Sequence, residues 1–123
     1  MAHAVNIENK FTQFAETWSP KVIARLNDYE IKVVRLEGEF VWHQHDTTDE
    51  LFIVIDGYLT IELRHDNVEL GAGELFVVPR RVEHCPIVRT GQVKALLIEP
   101  TGVVNTANAG GQLTAGYDTS LLS

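Results

Sequence analysis

Between residues 21 and 100, short runs of apolar residues alternate with polar ones and are cut by turn-forming pairs. Residues 22–26, 29–36, 40–45, 51–55, 58–64, 75–78, 83–89 and 93–99 are rich in β-branched and aromatic side chains, which suit a pleated surface. Asn-Asp, Glu-Gly, Asp-Gly, Asp-Asn, Gly-Ala-Gly, Pro-Arg and Thr-Gly separate them. Turn signals roughly every 8–12 residues, with almost no helical period, predict an all-β sandwich or barrel.

The two ends differ from this middle. Phe11, Phe14, Ala15 and Trp18 follow the i, i+3, i+4, i+7 spacing of an amphipathic helix, with Asn9 as its N-cap and Ser19-Pro20 ending it. Such a stripe reads as a lid packed on the core. From Thr101 the composition shifts to Gly, Asn, Thr and Ala, which reads as an extended arm. The expected organisation is a helical segment over 1–20, a β-domain over 21–100 and an arm over 101–123.

Asp56-Gly57 is a strong two-residue hairpin signal. A hairpin there pairs Val54 with Leu59, Phe52 with Ile61 and Glu50 with Leu63, and opposed residues share a face. Glu50, Phe52, Val54, Leu59, Ile61 and Leu63 then form one wall, in which a carboxylate interrupts five apolar side chains. Leu51, Ile53 and Ile55 on the reverse are too apolar for open solvent and need a second layer, which a helix, another sheet or a second copy of the chain would supply.

Composition narrows the setting. The chain has 123 residues, 45% of them hydrophobic, enough for one domain with a single core. Its formal net charge of −7 disfavours nucleic acid and anionic membranes, which attract a concentrated basic face. A single Cys excludes an internal disulfide. The longest apolar run is too short to span a bilayer and no leader pattern opens the chain, so the expected location is the cytoplasm.

The chemistry lies in Trp42-His43-Gln44-His45. On a strand, residues i and i+2 project from one face about 6.6 Å apart, so two imidazoles can converge on one ion. Glu50 follows a short turn later, and His84 lies on a strand able to bring a third imidazole across. Three His and one Glu would bind a divalent transition metal (Fe, Mn, Ni or Zn), and octahedral geometry would leave two positions for water or substrate. A buried carboxylate without a cation costs several kcal/mol, on the order expected for an unpaired buried charge.

Gly38-x4-His43-x-His45-x4-Glu50-x6-Gly57 resembles the first motif of the cupins, and Gly73-x5-Pro79-x4-His84 resembles the second. The resemblance spans residues 27–100. It implies a jelly-roll β-barrel with a metal held by His43, His45, Glu50 and His84; the spacing to Gly57 selects Glu50 over Asp49. This chain departs from the usual pattern in a Gly38-to-His43 gap one residue shorter, in Arg81 where Gly is usual, and in Val88 where Asn is frequent. None of these removes a ligand. The tail after Glu99 is similar to that of small single-domain cupins labelled sugar-isomerase-like, of the mannose-6-phosphate isomerase kind, and such proteins commonly form homodimers.

The expected pocket is walled by Phe52, Val54, Leu59, Ile61 and Leu63 and takes a small organic anion or phenol. With Fe the two open positions would suit a dioxygenase, and with Mn, Ni or Zn an isomerase or lyase. A non-catalytic ligand-binding or sensor module is the alternative. Glu37, Glu39 and Tyr29 are candidates for a general acid or base. Cys85 reads as a packed thiol, His65 and His3 as exposed, and Arg80 and Arg81 as turn residues within reach of an anion at the barrel mouth.

Overall fold

A computed structural model describes residues 2–107 and 109–122. One short helix, α1 (Ile7–Phe11), precedes seven strands: β1 (Lys21–Leu26), β2 (Tyr29–Glu39), β3 (Glu50–Asp56), β4 (Leu59–Leu63), β5 (Asn67–Leu70), β6 (Leu75–Val78) and β7 (His84–Pro100). Every pairing between these strands is antiparallel. Among the described residues no helix is long and apolar enough to cross a membrane.

The 17-residue strand β7 organises the jelly roll. Its later half lies between β2 and β3, with Leu97 opposite both Lys32 and Phe52. Its earlier half pairs with β4, Leu63 facing His84, and with the end of β2. The Thr90-Gly91 pair that reads as a turn between two strands is absorbed as a bend. Leu36 pairs with Val93 and Gly38 with Val88, so residues 89–92 bulge opposite the single residue Glu37. A sheet that bends here wraps around its own contents.

The Asp56-Gly57 hairpin does not form. β3 pairs with β6 and β7, whereas β4 pairs with β5 and β7. Asp-Gly instead carries the chain from one side of the barrel to the other. Gly57 has φ +94°, and a Cβ there would lie 2.6 Å from the Gln92 carbonyl oxygen, so the crossing needs both the left-handed backbone and the missing side chain. The face assignment survives the changed pairing because alternation is a property of each strand alone. Glu50, Phe52, Val54, Leu59 and Ile61 are all buried and Leu63 packs against them. Burying each of the larger apolar side chains contributes roughly 1.5–3 kcal/mol.

The N-terminal stripe is also corrected. The helix ends at Phe11, and its N-cap is Asn6, whose side chain accepts from the Asn9 amide at 2.9 Å. Phe14 and Trp18 lie beyond the helix, and Trp18 has φ +58°, outside helical backbone. Ala15 is exposed, and the three aromatic residues divide between two clusters. Phe11 and Phe14 pack on Ile23, Val33, Ile53, Ile55 and Leu96, so this segment supplies the second layer over the outer face of β3. Trp18 instead turns into the barrel and stacks on Phe40 at 4.5 Å between ring centroids.

Candidate metal centre

Residues 40–49 carry no strand beyond one bridge, in which His43 and His84 exchange both backbone hydrogen bonds at 2.9–3.0 Å. The His43 and His45 side chains therefore converge from a loop pinned to β7 rather than from one face of a strand. Their ring centroids are 5.5 Å apart, and His43 and His84 approach to 4.2 Å. Glu50 opens β3 in an inward position. One donor atom from each of His43, His45, Glu50 and His84 lies within 4.8 Å of the others, and all four residues are buried. Asp49 points away, accepting from the Arg80 amide at 2.8 Å.

Backbone carbonyls fix which ring nitrogens face inward. His43 Nδ1 is 2.9 Å from the Val41 oxygen and His84 Nδ1 is 3.0 Å from the Val82 oxygen. A carbonyl can only accept, so Nδ1 carries the proton in both rings and Nε2 presents a lone pair. In the neutral ring His84 Nε2 then faces Glu50 Oε1 at 3.2 Å, acceptor against acceptor, and only a second proton on the ring turns this contact into a hydrogen bond. Glu50 Oε2 lies 3.3 Å from His45 Nε2, which is buried with no aligned hydrogen bond. A cation among these atoms would relieve both confrontations. Three nitrogens and a carboxylate oxygen are donors suited to a divalent transition metal.

Taken as protein groups alone, His43, His45 and Glu50 are shifted from their ordinary values. Burial, with the nearby His84 adding to it, pushes His43 down to about 4. Burial opposes protonation of His45, but Glu50 outweighs it and raises its pKa. Burial would raise Glu50, yet His45 and His84, which face its two oxygens and attract the carboxylate whenever they carry a second proton, hold it well below the usual carboxylate range.

A second buried ionic group adjoins the first. Lys32 Nζ is 2.9 Å from Glu99 Oε1 and 4.0 Å from Glu30 Oε1, with all three side chains under 5% exposed. Distance alone describes Lys32–Glu99 as an ion pair, but burial and the neighbouring Glu50 charge push the Glu99 carboxyl up to about 8. Two carboxylates share one interior here, and Glu99 Oε2 is buried without a hydrogen-bond partner among the described residues. Sequence reasoning missed this group. Its signal was in phase with the core: Glu30 and Lys32 alternate with Val34 and Leu36, and Glu99 with Ala95 and Leu97. Glu37, Glu39 and Tyr29 are exposed on the outside, so Glu99 is the buried acid that replaces them beside the cluster.

The cavity against His43 and Glu50 is lined by Trp18, Pro20, Val34, Leu36, Phe40, Phe52, Pro86, Leu97 and Asn105. Of the five expected wall residues, Phe52 lines it; Val54, Leu59 and Ile61 are instead filled-in core, and Leu63 faces a shallow outer depression with Arg64, His65 and Arg81. The cavity leaves about 20 Å³ for the centre of a water-sized sphere, room for a single water. Arg80 and Arg81 are exposed and outside it. Cys85 is buried and faces away, its thiol pushed up to about 11 by burial.

The fold is shared with known proteins. A cupin-2 domain containing protein from Shewanella frigidimarina is 50% identical, with a TM-score of 0.76 over 78% of this chain and 93% of that one. Protein NMB1881 from Neisseria meningitidis is 25% identical, with a TM-score of 0.72 over 80% of this chain and all of that one. The uncharacterized protein YdbB of Bacillus subtilis (strain 168) is 29% identical over 85 residues, 68% of this chain and 69% of that protein. Residues 32–99 match the family model described as the cupin domain, and the chain belongs to the cupin family.

Proposed function

We propose that this cupin binds a divalent transition metal through His43, His45, Glu50 and His84 and uses it to transform a small organic molecule, as a dioxygenase or as an isomerase or lyase. The observation that carries the reading is the confrontation of His84 Nε2 with Glu50 Oε1 at 3.2 Å after Nδ1 has been committed to Val82. Such a metal supplies Lewis acidity or, if redox-active, dioxygen chemistry. The protein's own part is to fix three neutral imidazoles and one carboxylate, to exclude water with Phe40, Phe52 and Trp18, and to hold Glu99 as a buried acid nearby. Three neutral ligands and one anion leave a divalent ion with one positive charge, which favours a small anionic ligand despite the acidic surface.

Elemental analysis of protein purified without added metal tests this, repeated on His45→Ala. Near-stoichiometric metal in the parent and a large loss in the variant is the expected result; no metal in the parent, or equal content in both, overturns it. A non-catalytic ligand-binding role is favoured by one observation: among the described residues, only His43 and Glu50 bring protonatable side chains to the cavity wall. Turnover of any substrate by metal-loaded protein excludes it. We further propose a cytoplasmic homodimer packed through the outer face of β6 and the Leu51 end of β3, which the N-terminal segment leaves uncovered, where Leu75 and Val77 are 58% and 44% exposed beside half-buried Leu51. A monomeric mass by light scattering at micromolar concentration would refute the dimer.

A further inference from the structure

The C-terminal residues cross the barrel as a strap held by polar contacts. Of the described residues 101–122, Thr106 alone is buried, and Val104, Leu113 and Tyr117 are exposed. Asn105 is the central clip. Its Nδ2 donates to the Trp18 and Leu113 carbonyls, both at 2.8 Å, and its Oδ1 accepts from the Ala115 amide at 2.9 Å. Farther along, the Tyr117 hydroxyl donates to buried Glu30, and Asp118 accepts from Lys21 at 2.8 Å. Segments with little apolar burial and many polar ties open locally at low free energy.

The strap stands on both approaches to the histidine cluster. Asn105 and Pro20 form part of the wall of the narrow inner cavity, and both also line a second small void beneath the strap. On the outside, Val103, Val104 and Ala107 form one bank of a groove of about 330 Å³ whose other bank is residues 44–48, with His45 among its lining. The inner cavity holds one water, whereas binding pockets for organic ligands begin at roughly 300 Å³. Trp18, whose carbonyl Asn105 grips, sits in left-handed backbone at φ +58°, a conformation that persists only when its surroundings enforce it.

We propose that the strap is a size gate on the cluster, with Asn105 and Trp18 as the residues that set which ligands enter. Closed, it admits molecules the size of water or dioxygen; an organic ligand of apolar, flat shape enters beside Phe40 and Phe52 when Asn105 releases Trp18. The inference about ligand entry rests on the metal-site reading, but the motion of the strap does not.

The two tryptophans of the chain are Trp18 and Trp42, so Trp42→Phe leaves Trp18 as the reporter. Acrylamide quenching of Trp18 is measured in this background, with and without Asn105→Ala, and separately with Tyr117→Phe in case the first variant does not fold. Loosening one clip is expected to raise the open population, and the dynamic quenching with it, about fivefold, which corresponds to about 1 kcal/mol. Extraction of cobalt(II) by a chelator is followed in parallel and is expected to speed up by a similar factor. Unchanged quenching in a folded variant overturns the gate. Increased quenching in protein that retains no cobalt sustains the moving strap and overturns the metal reading instead. Increased quenching with unchanged cobalt extraction overturns the role of the strap in access.

Discussion

Replacing Glu50 by Gln separates ligation from structural pairing. Gln fills the same volume but cannot neutralise a cation, and loss of an anionic ligand is expected to weaken metal affinity about 100-fold, the upper end for supporting groups around a metal. At a free metal concentration of about 1,000 Kd the parent gains about 4.1 kcal/mol of stability, and the variant, then at about 10 Kd, gains about 1.4 kcal/mol. For a chain of this size the difference of about 2.7 kcal/mol lowers the metal-induced rise in Tm by roughly 10 °C. The metal-free proteins should differ much less. Gln keeps one acceptor oxygen and adds an amide donor that can face His84 Nε2, so the change is expected to stay within about 1 kcal/mol. Calorimetric scans with zinc(II) or cobalt(II) and with chelator measure both quantities. If the substitution shifts Tm equally with and without metal, Glu50 is only a structural partner of His45 and His84, and the ligand assignment fails.

Three further outcomes follow from the same geometry. Gly57→Ala adds a Cβ 2.6 Å from the Gln92 oxygen at φ +94°, and is expected to cost roughly 2–4 kcal/mol by urea denaturation; under about 0.5 kcal/mol would show that the crossing relaxes. Acid and metal act oppositely. Glu50 is depressed below 4.5, so its contribution to metal-free stability is present above that value and lost as pH falls through its folded pKa, whereas His45 is raised above 6.5, so its contribution is present below that value and lost as pH rises. Their pairing is thus complete between pH 4.5 and 6.5, where protons on His45 already compete with metal, and cobalt absorbance should fall as pH drops across this window. Cys85, 1% exposed with its pKa pushed up to about 11, should react with an aromatic disulfide reagent only after unfolding in guanidinium, and rapid reaction in native protein would contradict its burial.

What could be read without coordinates was local alternation. The inward phase of Glu50, Phe52 and Val54 follows from the two-residue period of a strand and needs no knowledge of its neighbours. The four clustered donors followed from spacing matched to the cupin motifs. Pairing was illegible because Asp56-Gly57 specifies a change of direction and not the strand that follows as partner; Gln92, which sits against Gly57, is 35 positions away. The short helix was misplaced because Trp18 shares a helical spacing with Phe11 and Phe14 by coincidence: it is buried in the barrel core, whereas they pack together outside it. The cavity was misassigned for a related reason. Trp18, Phe40 and Asn105 come from segments without regular period, and only the closed barrel brings them beside His43.

The long strand β7 has a bearing on how the chain acquires its structure. It carries His84 at one end and Glu99 near the other, and it is hydrogen-bonded to β2, β3 and β4. During synthesis, β2 waits some sixty residues for its principal partner, exposing an unpaired edge until the chain reaches position 100. His43, His45 and Glu50 are made early but acquire His84 only as β7 docks. A metal ion held by the four proposed ligands would therefore meet the complete cage only once β7 has docked, and its supply would bear on how long the folded molecule lasts more than on how quickly it forms.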